Sequence, residues 1–220
     1  MPTANKNRTR SSIDRRSHVD CIELVVHKGT LVPGVEEVVT SWRRCLTAHH
    51  LDPEIQAAPH IITEKEIKDS REPLRNVILQ AQEELDRLYA IVGPQQYVVL
   101  LCNRDGVAIH HRGDESMADT YKDRGIWLGA VVSEQMEGTN GIGTCITDER
   151  ATMVHRDQHF RSAARFPYLS ILAAAARARS RLGGSCASHS MQLLALVMAA
   201  AMGCLISCAS ITPSTPQIAC

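Results

Sequence analysis

The chain has 220 residues, 44% of them hydrophobic, and a formal net charge of zero, which is enough for one generous domain or one domain with extensions. Zero net charge excludes a global pull toward nucleic acid or an anionic membrane. Eight cysteines with no C-x-x-C pair exclude a zinc ribbon and a thioredoxin-type motif.

In chain order, residues 1–32 are polar and basic at the start (Lys6, Arg8, Arg10, Arg15, Arg16), carry no secretory apolar core, and are read as a flexible arm. Reduced thiols in a cytoplasmic protein are the default. After Pro33-Gly34, the residues Val35, Val38, Val39, Trp42 and Leu46 recur at helical spacing. Asp52-Pro53 and Pro59 mark a loop, and Thr63 with Glu66 has the form of a capping box. A long amphipathic helix is predicted from about Pro73, with Leu74, Val77, Ile78, Ala81, Leu85, Leu88 and Ile91 as its apolar stripe and Gly93-Pro94 as its end. Tyr97–Cys102 and Val107–His110 flank Asp105-Gly106 and predict a β-hairpin. A second hairpin is predicted between Thr144–Thr147 and Ala151–Val154. Helices followed by antiparallel strands define an α+β class, here an antiparallel sheet flanked by helices.

Between the two hairpins lies EGTNGIGTC, Glu137 to Cys145. It lacks the Lys-Ser/Thr ending of a phosphate-binding P-loop. Its glycine order, G-x-x-G-x-G ahead of a predicted strand, also fails the dinucleotide fingerprint. What remains is a sharp turn feeding a strand, with glycine supplying positive φ and Asn140 tolerating it.

The surrounding text, GAVVSEQMEGTNGIGTCITDERATMVHRDQHF (Gly129–Phe160), resembles the sensory GAF domain of σ54-dependent activators of the acetoin-regulator type. SWRRCLTAHHLDP (Ser41–Pro53), SREPLRNVILQAQEELDRLY (Ser70–Tyr89) and VVLLCNRDGVAI (Val98–Ile109) extend the resemblance over about residues 41 to 161. It implies a GAF-like domain over 33–162 that is cytoplasmic and senses a small-molecule effector, with room for a homodimer. It also places Trp127, Glu134, Thr139, Asn140 and Thr144 as ligand-binding candidates, the last four in or beside the most distinctive motif. In that family an ATPase domain and a helix-turn-helix follow. This chain has no Walker motif and no basic recognition helix, so direct nucleic-acid binding is not carried over.

The resemblance stops after HFRS. No acidic residue follows Asp157, the last lysine is Lys122, and beyond Ser162 the formal charges are Arg165, Arg177, Arg179 and Arg181. Such a composition is what a GC-rich gene read out of frame would give. Residues 163–220 are therefore read as an aberrant tail and the sheet as incomplete after residue 162, so a non-functional product of a disrupted gene is the competing reading. Met191–Ile211 is long and uncharged enough to span a bilayer, but its Ala, Gln, Ser and Gly content argues against insertion.

The remaining candidates read as structural. His155 and His159 lack a third metal ligand, His49-His50 and His110-His111 are expected in solvent, and Cys145 is expected as a buried strand thiol rather than a reactive one. No nucleophile, base and orienting group can be assembled, so no enzyme and no cofactor is expected.

Overall fold

The computed structural model describes residues 18–29, 35–55, 57–95, 97–154 and 156–161, together with the backbone of 171–173. The segment expected to be an arm contains a helix, α1, over residues 18–28. Its Val19, Ile22 and Val25 recur every third residue and are buried, which is why it docks rather than trails. Helix α2, Glu36–Thr47, carries two glutamates in its first turn and Arg44 in its last, both suited to the helix dipole. Its buried Val38, Val39, Trp42 and Cys45 meet Ile22, Val25 and Phe160 in one cluster.

Helix α3, Glu64–Arg71, opens with the predicted capping box: Thr63 accepts from the Glu66 amide, and the Glu66 side chain accepts from the Thr63 amide. A single 3-10 turn, Glu72–Leu74, holds Pro73 and leads into α4, Arg75–Val92. The stripe is nearly the predicted one, with Ile78, Ala81, Leu85 and Leu88 buried. It ends on Val92, while Val77 and Ile91 stay exposed.

Strands β1, Val99–Cys102, and β2, Ala108–Arg112, form the first predicted hairpin. Asn103 Oδ1 accepts from the amides of Asp105 and Val107, and Gly106 takes a φ of 77°. Leu101 pairs with His110 and Cys102 with Ala108, so Ile109 bulges. On its other side, β2 exchanges bonds with 129–132: Ala108 N donates to Ala130 O at 2.9 Å and Gly129 N to Ala108 O at 2.8 Å. That segment in turn meets 60–62, where Val131 N donates to His60 O and Ile62 N to Gly129 O. The sheet has two covered faces. Val99, Val107 and Ile109 pack under α4, whereas Val98 and Leu100 meet Tyr121, Ile126 and Trp127 on the opposite face. Tyr121 belongs to the short helix α5, Ala118–Asp123.

The second hairpin is not formed as predicted. After the single-turn helix α6, Glu134–Glu137, residues Gly141–Asp148 form a helix, α7. Strand β3, Thr152–Val154, pairs instead with β4, Ile171–Ala173, antiparallel. Thr144 and Cys145 are therefore helical, and the reason is the cap. Asn140 is extended at φ −153° and its side chain accepts from the amides of Ile142 and Gly143, satisfying two donors that a helix start leaves orphaned. Of the three glycines in the motif, only Gly138 has positive φ, at 74°. The residues 163–220 that were read as a tail lie outside the described residues except for β4, and so does Met191–Ile211. Among the described residues no helix is long and apolar enough to cross a membrane.

Candidate functional site: a buried polar knot beside an apolar cluster

Two motif segments far apart in sequence meet at Glu134. Its carboxylate is almost completely buried, at 2% exposure. Oε2 accepts from Ser41 Oγ at 2.6 Å, Thr144 Oγ1 at 3.0 Å and Arg44 Nη2 at 2.9 Å, and Oε1 accepts from Arg44 Nε at 2.8 Å. The two parallel guanidinium bonds form a fork, the strongest geometry available to such a pair. Arg44 Nη1 also reaches Asp148 at 2.9 Å, at the end of α7. Ser41 Oγ further contacts Thr139 Oγ1 at 2.7 Å, which lies 3.6 Å from Cys45 Sγ.

Asn140 uses its whole side-chain amide. Oδ1 takes the two cap bonds, and Nδ2 donates to Val132 O at 3.0 Å and Gly138 O at 2.8 Å. A third segment, residues 158–160, closes on α1 and α2 through its backbone. Trp42 Nε1 donates to Gln158 O at 2.8 Å, and His18 Nε2 donates to His159 O at 2.9 Å. Phe160 is fully buried between them and stands against Gly138, where an added Cβ would meet its side chain at 2.6 Å. Combined with a backbone at φ 74° and ψ −163°, this admits only glycine at 138.

Burial pushes the Glu134 carboxyl up. The fork from Arg44 and the hydroxyls of Ser41 and Thr144 outweigh it and hold the group below the usual glutamate range. A depressed folded value adds stability that is complete above the unfolded glutamate range and is lost as pH falls through the folded value. Glu134→Gln is therefore expected to flatten the acid limb of stability against pH, as measured by urea unfolding in a pH series. An unchanged acid limb would show that Glu134 is not ionised in the fold.

Of the expected ligand residues, Glu134, Thr139, Asn140 and Thr144 are brought together, and their polar atoms are taken up by bonds within the protein: Thr144 bonds Glu134, Thr139 contacts Ser41, and Asn140 bonds backbone groups. Trp127 belongs to a different cluster. It lies 3.9 Å, centroid to centroid, from the His111 ring and 5.7 Å from Tyr121. His111 and His110 are half-buried rather than in solvent, and His49 stands 3.5 Å from the Glu134 carboxylate. His155 lies outside the described residues, and among those described no group of three His, Cys, Asp or Glu could hold a metal. Burial pushes the Cys45 thiol up to about 11, and Cys145 is buried within α7, not in a strand. Sequence reading missed Ser41, Arg44 and Cys45. They stand in SWRRC, which carried part of the resemblance without any role attached to its residues.

The described residues form an α+β module, helices around a small antiparallel hairpin, in which these motif blocks meet. No protein-family model matches the chain. The chain is related to the acetoin catabolism regulatory protein of Cupriavidus necator, at 31% identity over 123 residues, covering 56% of this chain and 18% of that protein. It is also related to a signal-transduction and transcriptional-control protein of Clostridium beijerinckii, at 24% identity over 125 residues, covering 57% of this chain and 20% of that one. The chain thus spans about a fifth of the length of the curated relatives it matches. A chain in the crystal structure of the E. coli DhaR(N)–DhaL complex has the same fold at a TM-score of 0.51, with 18% identity over 57% of this chain and 42% of that one. Both relatives are named as regulatory or control proteins.

Proposed function

We propose that the chain is the small-molecule-sensing regulatory module of a transcriptional regulator of acetoin- or glycerol-type metabolism. The observation that carries this reading is the relationship to the acetoin catabolism regulatory protein. Supporting it, SWRRC and EGTNGIGTC meet at Glu134, and Trp42 of the first block bonds Gln158 O. In this reading the knot is the frame that fixes α1 and α2 on the module. Glu134, Thr139, Asn140 and Thr144 hold the shape of the site, and Trp127 is the candidate beside the effector. The module works in the cytoplasm, pairs with a second copy, and leaves DNA binding and ATP hydrolysis to other segments or partners.

Thermal melting of the purified chain with acetoin, 2,3-butanediol, glycerol and dihydroxyacetone tests this. A cooperative melt raised by one of them is expected, because a ligand at 100 times its Kd adds about 2.7 kcal/mol. A chain with no cooperative melt would overturn the sensory reading.

A further inference from the structure

A cleft of about 300 Å³ opens beside Trp127, lined by Arg71, His110, His111, Arg112 and Leu128, with Glu115 at its rim. The volume is at the small end for ligand sites, room for about ten water-sized groups. Arg71 closes α3 and is half-buried, yet its guanidinium makes no hydrogen bond or ion pair among the described residues. A half-buried guanidinium is a planar fork with five donors, and it lacks here the two-oxygen acceptor that matches it.

The other groups are largely committed. Arg112 Nε bonds Asp86, and its Nη1 donates to His111 O and faces His110 Nε2. His110 is thereby fixed as an acceptor at Nε2 and is neutral. Burial, and then the neighbouring arginines, lower both its pKa and that of His111, while the Glu115 bond acts on His111 in the opposite sense. His111 Nε2 points at Glu115, 3.4 Å away, and its ring lies on Trp127. With Asp86 answering Arg112 and Glu115 beside His111, one cationic fork is left over. The two guanidinium groups and the two carboxylates sum to zero, so the uncommitted fork of Arg71 rather than a net positive charge is what would hold an anion, and Leu128 and the Trp127–His111 stack offer an apolar wall to a short carbon skeleton.

We propose that this cleft binds a short monocarboxylate of two to four carbons, with its carboxylate on the Arg71 fork and its carbon chain against Leu128 and the His111 ring. The proposal rests on the sensory reading and adds an anionic ligand beside the neutral effectors of that reading. A phosphate monoester would bring a second charge toward Glu115 and Asp86 with only one uncommitted cation to receive it.

Isothermal titration of the full chain with lactate, pyruvate and acetate at constant ionic strength tests it, with 1,2-propanediol as the neutral counterpart of lactate. Saturable binding of at least one carboxylate is expected. It should weaken at least about tenfold in Arg71→Gln, as loss of a charge-assisted pair predicts. Arg75→Gln, in the neighbouring groove between α3 and α4, should leave it unchanged. Binding should also shift one indole N–H resonance, that of Trp127, and not that of Trp42, which is bonded to Gln158 O. Equal binding by Arg71→Gln, or binding of 1,2-propanediol as tight as that of lactate, would overturn the proposal. So would no carboxylate binding at all. A melt raised by a neutral ketone or polyol would then still leave the sensory reading standing.

Discussion

Gly143→Ala is expected to destabilise the fold by about 3 kcal/mol, at the upper end of what overpacking costs. Two effects compete at this position. Gly143 is helical, and alanine in an unobstructed helix is better than glycine by about 1 kcal/mol. Here the added Cβ would stand 2.4 Å from Glu134 N, 2.8 Å from Asn140 Nδ2 and 2.8 Å from Ser133 C. Two of those atoms are backbone and the third is the cap side chain with every bond in use, so none can swing aside. Relief would come only by pulling α7 away from the start of α6, which separates Thr144 from Glu134. Steric cost exceeds propensity, and the sign is a loss. Urea unfolding followed by circular dichroism gives the number, and a stability equal to or above that of the parent would show that the close approach is wrong.

Arg44→Met has the second large effect, expected at about 2–3 kcal/mol. Removing one partner of a fully buried pair costs about 3–5 kcal/mol, because the remaining charge stays desolvated. The discount reflects the Arg44 side chain, which is 26% exposed and gives water a path to the carboxylate, and the hydroxyl bonds that Ser41 and Thr144 keep. Without the guanidinium, burial becomes the dominant influence on Glu134, so its pKa should move above the usual range and stability should rise on acidification. The double variant Arg44→Met/Glu134→Gln should recover part of the loss, and the coupling from the four-member cycle measures the pair. Zero coupling would mean that the fork is not formed in solution.

How much was readable from sequence depends on how local the determinant is. Thr63 and Glu66 are three apart, and the α4 stripe repeats within one element, so both were legible and both are present. The Asn103–Val107 turn was legible for the same reason. Thr144–Thr147 was misread as a strand because Thr, Cys and Ile are β-formers and the glycines before them read as a turn. The deciding fact is tertiary: the cap from Asn140 and the space over Gly143 left for the α6 start. Residues 18–28 were misread for a different reason. Val19, Ile22, Val25 and Val26 carry a helical period, but the basic residues before them set the assignment. The ligand candidates were chosen by motif membership, which groups Trp127 with Glu134 although they lie in separate clusters. Arg44 could not have been paired with Glu134 from sequence, since 90 positions separate them.

That separation has a kinetic consequence. The bonds from Ser41 to Glu134, Thr139 and Thr144 close loops of 93, 98 and 103 residues, whereas α4 and the β1–β2 hairpin meet within residues 75–112. Short loops close first, because the chain surrenders less entropy before contacts reward it. The knot is therefore expected to assemble after α4 has docked on its hairpin. For a chain being made from its N-terminus, α1 and α2 leave the ribosome long before Glu134 and Phe160, so they can pack on each other but not yet on the residues that complete their cluster.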